Sequence, residues 1–191
     1  RVVSAVRKWN GRLAKLIIVL LLLHAMIGSF ALMGLSTVHI DPLAYLLAAA
    51  VMLHAALGGA ATVSALKSGA RGSRLHLREN STFWIKRVTG VAILLMAFYH
   101  FSVYTGVEDG EFVLKEFTAF RMATQIIFVL VIFIHIFVSV KGMLVAGGVV
   151  KFRERMWDWI LVLSIFMLFF CIAIVAYFIT WKVTGGAVLN E

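Results

Sequence analysis

Five long apolar runs, separated by short polar connections, organise this chain. A bilayer helix needs about 20 consecutive apolar residues, more than a strand or an ordinary core helix uses. The pattern therefore predicts membrane helices over about 13–35, 43–66, 84–105, 121–146 and 157–181. The connections between them read "STVHIDP", "KSGARGSRLHLRENSTF", "GVEDGEFVLKEFTAF" and "GGVVKFRER". Asp41-Pro42 marks the start of the second helix, because proline is tolerated in a first helical turn. Gly147-Gly148 marks the end of the fourth. The fold class is an all-α membrane protein, and residues 1–191 form one integral membrane domain.

Composition agrees: 62% of the 191 residues are hydrophobic and 14% charged, outside the range of a soluble domain of this size. Cys171 is the single cysteine, so neither an intrachain disulfide nor a thiolate metal cluster is available. The first apolar run is too long and too internal for a cleavable signal peptide, and further residues are expected before Arg1.

Charge orients the helices. Of the 18 Lys and Arg, fifteen lie in the N-terminal segment, the second connection and the fourth; Lys115, Arg121 and Lys182 lie on the other side. By the positive-inside rule the N-terminus is cytoplasmic and the C-terminus outside. The net charge of +9 is then mostly topology, with no call for nucleic acid, and the basic inner face suits an acidic protein partner.

Of six histidines, His39 and His76 fall in connections, and the others fall one each in the first four helices: His24, His54, His100 and His135. Ionisable groups within a bilayer are costly and usually functional. At 1.5 Å per residue, His100 lies ~24 Å and His24 ~16 Å from the inner ends of their helices. His54 and His135 lie ~14 and ~9 Å from the inner face of a ~30 Å core. Helices one and three are diagonal in an up-down bundle of four, as are two and four. This places His24 with His100 toward the outside and His54 with His135 toward the inside. His24 and His54 differ by only ~2 Å in depth, which by itself does not fix the pairing.

Zinc usually takes four ligands, often with carboxylates or thiolates, and the spans contain no Glu; Asp158 stands only at the entrance of the fifth. Two opposed imidazoles instead suit the axial positions of haem iron. A flat macrocycle needs space, and small residues follow three of the histidines: Gly28 after His24, Gly58-Gly59 after His54 and Ser139 after His135. Tyr104, one turn after His100, breaks this pattern. A weak echo links "HAALGGAATVSALKSG" and "HIFVSVKGMLVAGG", as if one hairpin served twice.

The stretches "RVTGVAILLMAFYH" and "HIFVSVKGML" resemble the membrane anchors of succinate:quinone oxidoreductases. In those anchors an Arg-Val-(Ser/Thr)-Gly entry precedes a helix, matched by Arg87-Val88-Thr89-Gly90. A His-x3-Gly-x-(Arg/Lys) run follows, matched by His135 to Lys141 with Ser139 in place of the first glycine. The architecture is similar to the single-subunit, dihaem cytochrome b anchor of succinate dehydrogenase or fumarate reductase. The resemblance implies two haem b groups, the distal one held by His24 and His100 and the proximal one by His54 and His135. It also implies a flavoprotein subunit and an iron–sulfur subunit on the cytoplasmic face, and a membrane quinone, with menaquinone favoured. The chain would be the quinone-reactive subunit of that enzyme, with no dicarboxylate chemistry of its own. It would sit in the prokaryotic cytoplasmic (inner) membrane, and two such heterotrimers could pair.

Haem propionates need cationic or hydrogen-bonding partners. Arg87, Lys141 and Trp84, with Lys86 nearby, suit the proximal haem at the inner edge, and Arg121 suits the distal haem. For quinone, His39, Asp41 and Glu108 form an outer candidate set, preferred over inner Arg87, Trp84 and His76 because a two-haem relay is most useful when quinone reacts beyond the far haem. Trp157 and Trp159 suit an interfacial belt. Two other readings stay open. One is a dihaem cytochrome of a hydrogenase or formate dehydrogenase, which commonly pairs histidines within one helix. The other is a haem-free transporter, for which broken helices and acidic ligands would be expected.

Overall fold

The computed structural model describes residues 2–38, 41–69, 81–108, 111–146 and 154–185. Its helices are α1 (Val2–Leu32), α2 (Asp41–Gly69), α3 (Ser81–His100), α4 (Ala119–Ala146) and α5 (Glu154–Thr184). Between α3 and α4 lie two short strands, β1 (Thr105–Glu108) and β2 (Glu111–Leu114). Among the described residues, five segments are long and apolar enough to cross a membrane: Lys8–Leu32, Asp41–Lys67, Ser81–His100, Ala119–Val140 and Trp157–Thr184. The chain is a multi-pass membrane protein with helical spans.

The outward faces of these helices are as apolar as a soluble core. Val88 is 66% exposed and Leu95 67%. In water each would forgo roughly 1.5–3 kcal/mol of burial, a loss that lipid removes.

The chain divides into two compact units: Arg1–Gly28 with Val38–Ser81, and Ser29–Thr37 with Thr82–Glu191. In the first, Leu20 of α1 and Leu47 and Ala50 of α2 form a buried seam. Leu13, Ile17 and Leu21 line it from α1, and Leu43 and Val51 from α2, at the three- and four-residue spacing of one helical face. In the second unit the buried core comprises Val103, Phe117, Ile174, Tyr177 and Trp181.

Most helix ends lie within three residues of the sequence expectation, and the start of α1 and the end of α3 depart further. α1 begins at Val2, not near residue 13, because its basic first turns continue the helix beyond the apolar run. It ends at Leu32, not 35. Gly34, at φ 70°, donates to Ala31 O (3.0 Å) and Leu35 N donates to Phe30 O (2.9 Å), the pair of bonds that closes a helix through a left-handed glycine.

α3 ends at His100, not 105. The N–H groups of Ser102 and Val103 turn back to Tyr99 O (2.9 Å) and His100 O (3.2 Å), tightening the last turn. The third connection is an antiparallel ribbon with Thr105 opposite Leu114 and Glu108 opposite Glu111. Lys115 N extends it by donating to Tyr104 O (2.9 Å). The end of α4 expected at Gly147-Gly148 lies outside the described residues.

Candidate functional site

α3 and α4 run antiparallel and are joined by two side-chain rungs. Near the start of α3, Thr89 Oγ1 meets His135 Nδ1 of α4 at 2.8 Å. At its end, His100 Nδ1 meets Gln125 Oε1 of α4 at 2.7 Å. The arrangement is reciprocal: each helix carries one histidine and the partner of the other's. Thr89 and His100 are eleven residues apart and Gln125 and His135 ten, so the rungs lie ~15 Å apart along the helices. Among the described residues the backbone of α4 packs closely on α5, whereas α3 and α4 approach sparsely.

The hydrogen bonds assign a tautomer. Thr89 has one hydroxyl hydrogen, and it is donated to Ile85 O at 2.6 Å. Toward His135 the hydroxyl therefore accepts, which puts the imidazole proton on Nδ1. Gln125 presents its carbonyl oxygen to His100, with the same consequence. In both rings the basic lone pair lies on Nε2, the form in which a histidine ligates a metal with its other nitrogen anchored.

The C-terminal end of α3 is held in an aromatic cluster. The ring of His100 lies edge-on to Tyr104 (5.6 Å, 77°) and tilted against Phe128 (5.5 Å). Tyr104 stacks on Phe117 (5.4 Å, 12°), and Phe117 meets Tyr177 edge-on at 4.9 Å. Burial, and secondarily the neighbouring Tyr177, hold the Tyr104 phenol well above the usual tyrosine range. Because α3 stops at His100, Tyr104 is not a bulky residue one helical turn further along the same helix. It braces the ring from the following loop, and His100 stands at the end of its helix instead of deep within it.

In the other unit, His24 is half-buried, and a Cβ placed on Gly28, one turn further, would meet nothing within 4 Å. The half-buried His54 faces the Asn10 backbone. A Cβ on Gly58, one turn beyond, would approach only the Asn10 amide nitrogen, at 4.0 Å. An imidazole donor with open space one turn further along the helix suits a flat ligand edge beside His24 and beside His54. Among the described residues no three His, Cys, Asp or Glu side chains converge as a metal-binding cluster.

The other sequence candidates are dispersed. Arg87 lies over the Phe83 ring (3.7 Å) and donates from Nη1 to Phe83 O (3.1 Å), and Trp84 meets the same ring edge-on at 5.3 Å. Arg121 is turned onto Glu116 O at the start of α4. Asp41 is exposed in the first turn of α2. Glu108 ends β1. The side chains of Glu108 and Lys141, together with His39 and His76, lie outside the described residues. Trp157 and Trp159 are exposed at the entrance of α5, as belt residues would be.

Sequence reasoning missed Gln125 and Asn10, and gave Thr89 no role beyond its motif. Gln125 had a signal: it is the chain's only glutamine, set in an apolar run, and it is 2% exposed. A buried amide in a membrane helix needs a partner. Asn10 Oδ1 is likewise buried, with no hydrogen-bond partner among the described residues.

No protein-family model, curated protein or solved structure matches this chain.

Proposed function

We propose that this chain is the membrane anchor and electron-transfer subunit of a succinate:quinone oxidoreductase, a succinate dehydrogenase or fumarate reductase of a prokaryotic cytoplasmic membrane. It would hold two b haems, each between two histidines. The reciprocal pair of rungs between α3 and α4 carries this reading: two imidazoles at two depths, each with its proton anchored on Nδ1 and its lone pair on Nε2. A transporter relaying protons through histidine has no need of two rings locked in one tautomer, whereas an axial ligand does.

Haems held by two histidines each would supply one-electron transfer, with no place for oxygen or substrate at the iron. The chain's residues have the remaining tasks. His24 and His100 would hold one haem and His54 and His135 the other, paired as helix depth suggests, with His100 and His135 offering Nε2 as donor. Gly28 and Gly58 keep the ligand faces clear. Arg87 with Trp84 and Lys141, and Arg121 at the start of α4, are the propionate partners. The basic inner segments dock the iron–sulfur subunit, which carries the flavoprotein. Membrane quinone, menaquinone being favoured, reacts at the outer set of His39, Asp41 and Glu108.

The test is haem content and the reduced optical spectrum of the purified, detergent-solubilised protein. Two low-spin b haems per chain are expected. His100→Ala and His135→Ala should each remove one, and the double variant both. By the proposed pairing, His24→Ala combined with His100→Ala removes only one. A colourless protein refutes the reading. Co-purifying flavin and iron–sulfur subunits distinguish this complex from a hydrogenase or formate dehydrogenase cytochrome.

A further inference from the structure

We infer that Thr89 and Gln125 are positioning residues that hold the Nδ1 protons of His135 and His100 and thereby tune the reduction potential of one haem each. The inference rests on the haem reading above and deepens it. An imidazole that donates its second N–H to an acceptor is a more basic ligand, with its ring orientation and tautomer fixed. Greater basicity favours the more highly charged, oxidised iron, so the acceptor lowers the potential of the haem its histidine holds.

The two acceptors differ in kind. Gln125 offers an amide carbonyl oxygen from a fully buried side chain, 2.7 Å from His100. Thr89 offers a hydroxyl whose own hydrogen is committed to Ile85 O at 2.6 Å. That donation polarises the oxygen and improves it as an acceptor for His135. Each acceptor serves one histidine, and the rungs lie ~15 Å apart along the helices, so the two should act on different haems. Removing either also frees its imidazole to take the other tautomer, with the proton on Nε2 where ligation is blocked. Loss of such a partner typically weakens metal binding about 10–100-fold.

The experiment is a potentiometric titration of the whole purified complex, following the reduced haem bands. Thr89→Val keeps the side-chain shape and removes the acceptor, and Gln125→Leu does the same at the other rung. Each should raise the midpoint of one haem, a different one in the two variants. A tenfold greater loss of affinity for oxidised than for reduced iron appears as an upward shift of about 59 mV for one electron. Thr89→Ser keeps the hydroxyl and should restore the parent value. Should the valine or leucine variant fail to hold pigment, Thr89→Ala and Gln125→Asn make the same test, each withdrawing the acceptor while leaving space. Two midpoints that stay at the parent values overturn the inference while leaving the haem reading intact, as does movement of the same haem by both substitutions. A parent complex without b haem overturns the haem reading and this inference together.

Discussion

Phe117 and Phe120 stand three residues apart, yet the structure assigns them opposite environments. Phe117 is 0% exposed and Phe120 is 70% exposed. Phe117 stacks on Tyr104 and meets Tyr177 edge-on, at 5.4 and 4.9 Å between ring centres. Burying a phenylalanine side chain contributes roughly 1.5–3 kcal/mol. Each aromatic pair adds about 0.5–1.5 kcal/mol beyond the buried area. These terms bracket the about 3–5 kcal/mol that buried Phe→Ala substitutions cost. Phe120, facing lipid or detergent from the first turn of α4, gains no comparable burial from the protein, and its loss should cost at most about 0.5 kcal/mol. Thermal unfolding of the two alanine variants in one detergent, followed by circular dichroism, compares them directly. Phe117→Ala should lower the midpoint strongly and Phe120→Ala hardly at all. The cluster also braces His100, so under the proposed haem reading Phe117→Ala should weaken pigment retention at the His100 site before the other. Equal effects of the two substitutions would refute the assignment of Phe117 to a buried protein core.

Further outcomes follow from the same geometry. Gly34 closes α1 at φ 70°, where a Cβ costs about 1–2 kcal/mol, so Gly34→Ala should lower the thermal midpoint and Gly34→Asn should lower it less. Leu20 lies in the buried seam between α1 and α2 while Leu23 is half exposed, so Leu20→Ala should cost about 2–5 kcal/mol and Leu23→Ala far less, measured as loss of folded protein on heating in detergent. The buried Tyr104 phenol ionises later than an ordinary tyrosine. Its raised folded-state value means that its contribution to stability is fully present below about pH 10 and falls away as pH rises above that. Ultraviolet titration of tyrosinate should show a late-ionising tyrosine that disappears in Tyr104→Phe.

Much of the architecture was readable in the chain itself. The five spans follow from a local criterion, since a bilayer of fixed thickness demands an apolar run of fixed length. The expected topology follows as directly, from where Lys and Arg lie between the runs. The four intramembrane histidines stand out because an ionisable group in hydrocarbon is costly wherever the rest of the chain goes. Periodicity was less informative. A helix that is apolar on every side has no face written into its sequence, so its rotation about its own axis, and hence its neighbours, cannot be read from it.

That rotation is what the tertiary structure decided. It turned Thr89 toward His135 and Gln125 toward His100, converting a motif residue and a lone glutamine into the anchors of two imidazoles. It also ended α3 at His100 and folded the next segment into a short ribbon, where a count of apolar residues alone would have continued the helix. Hydrophobicity sets which segments cross the membrane, because an apolar run must match the thickness of the hydrocarbon core. Directional contacts, hydrogen bonds and ring packing among them, set which side faces in and where the helix stops, because they exist only once the neighbouring helices are in place.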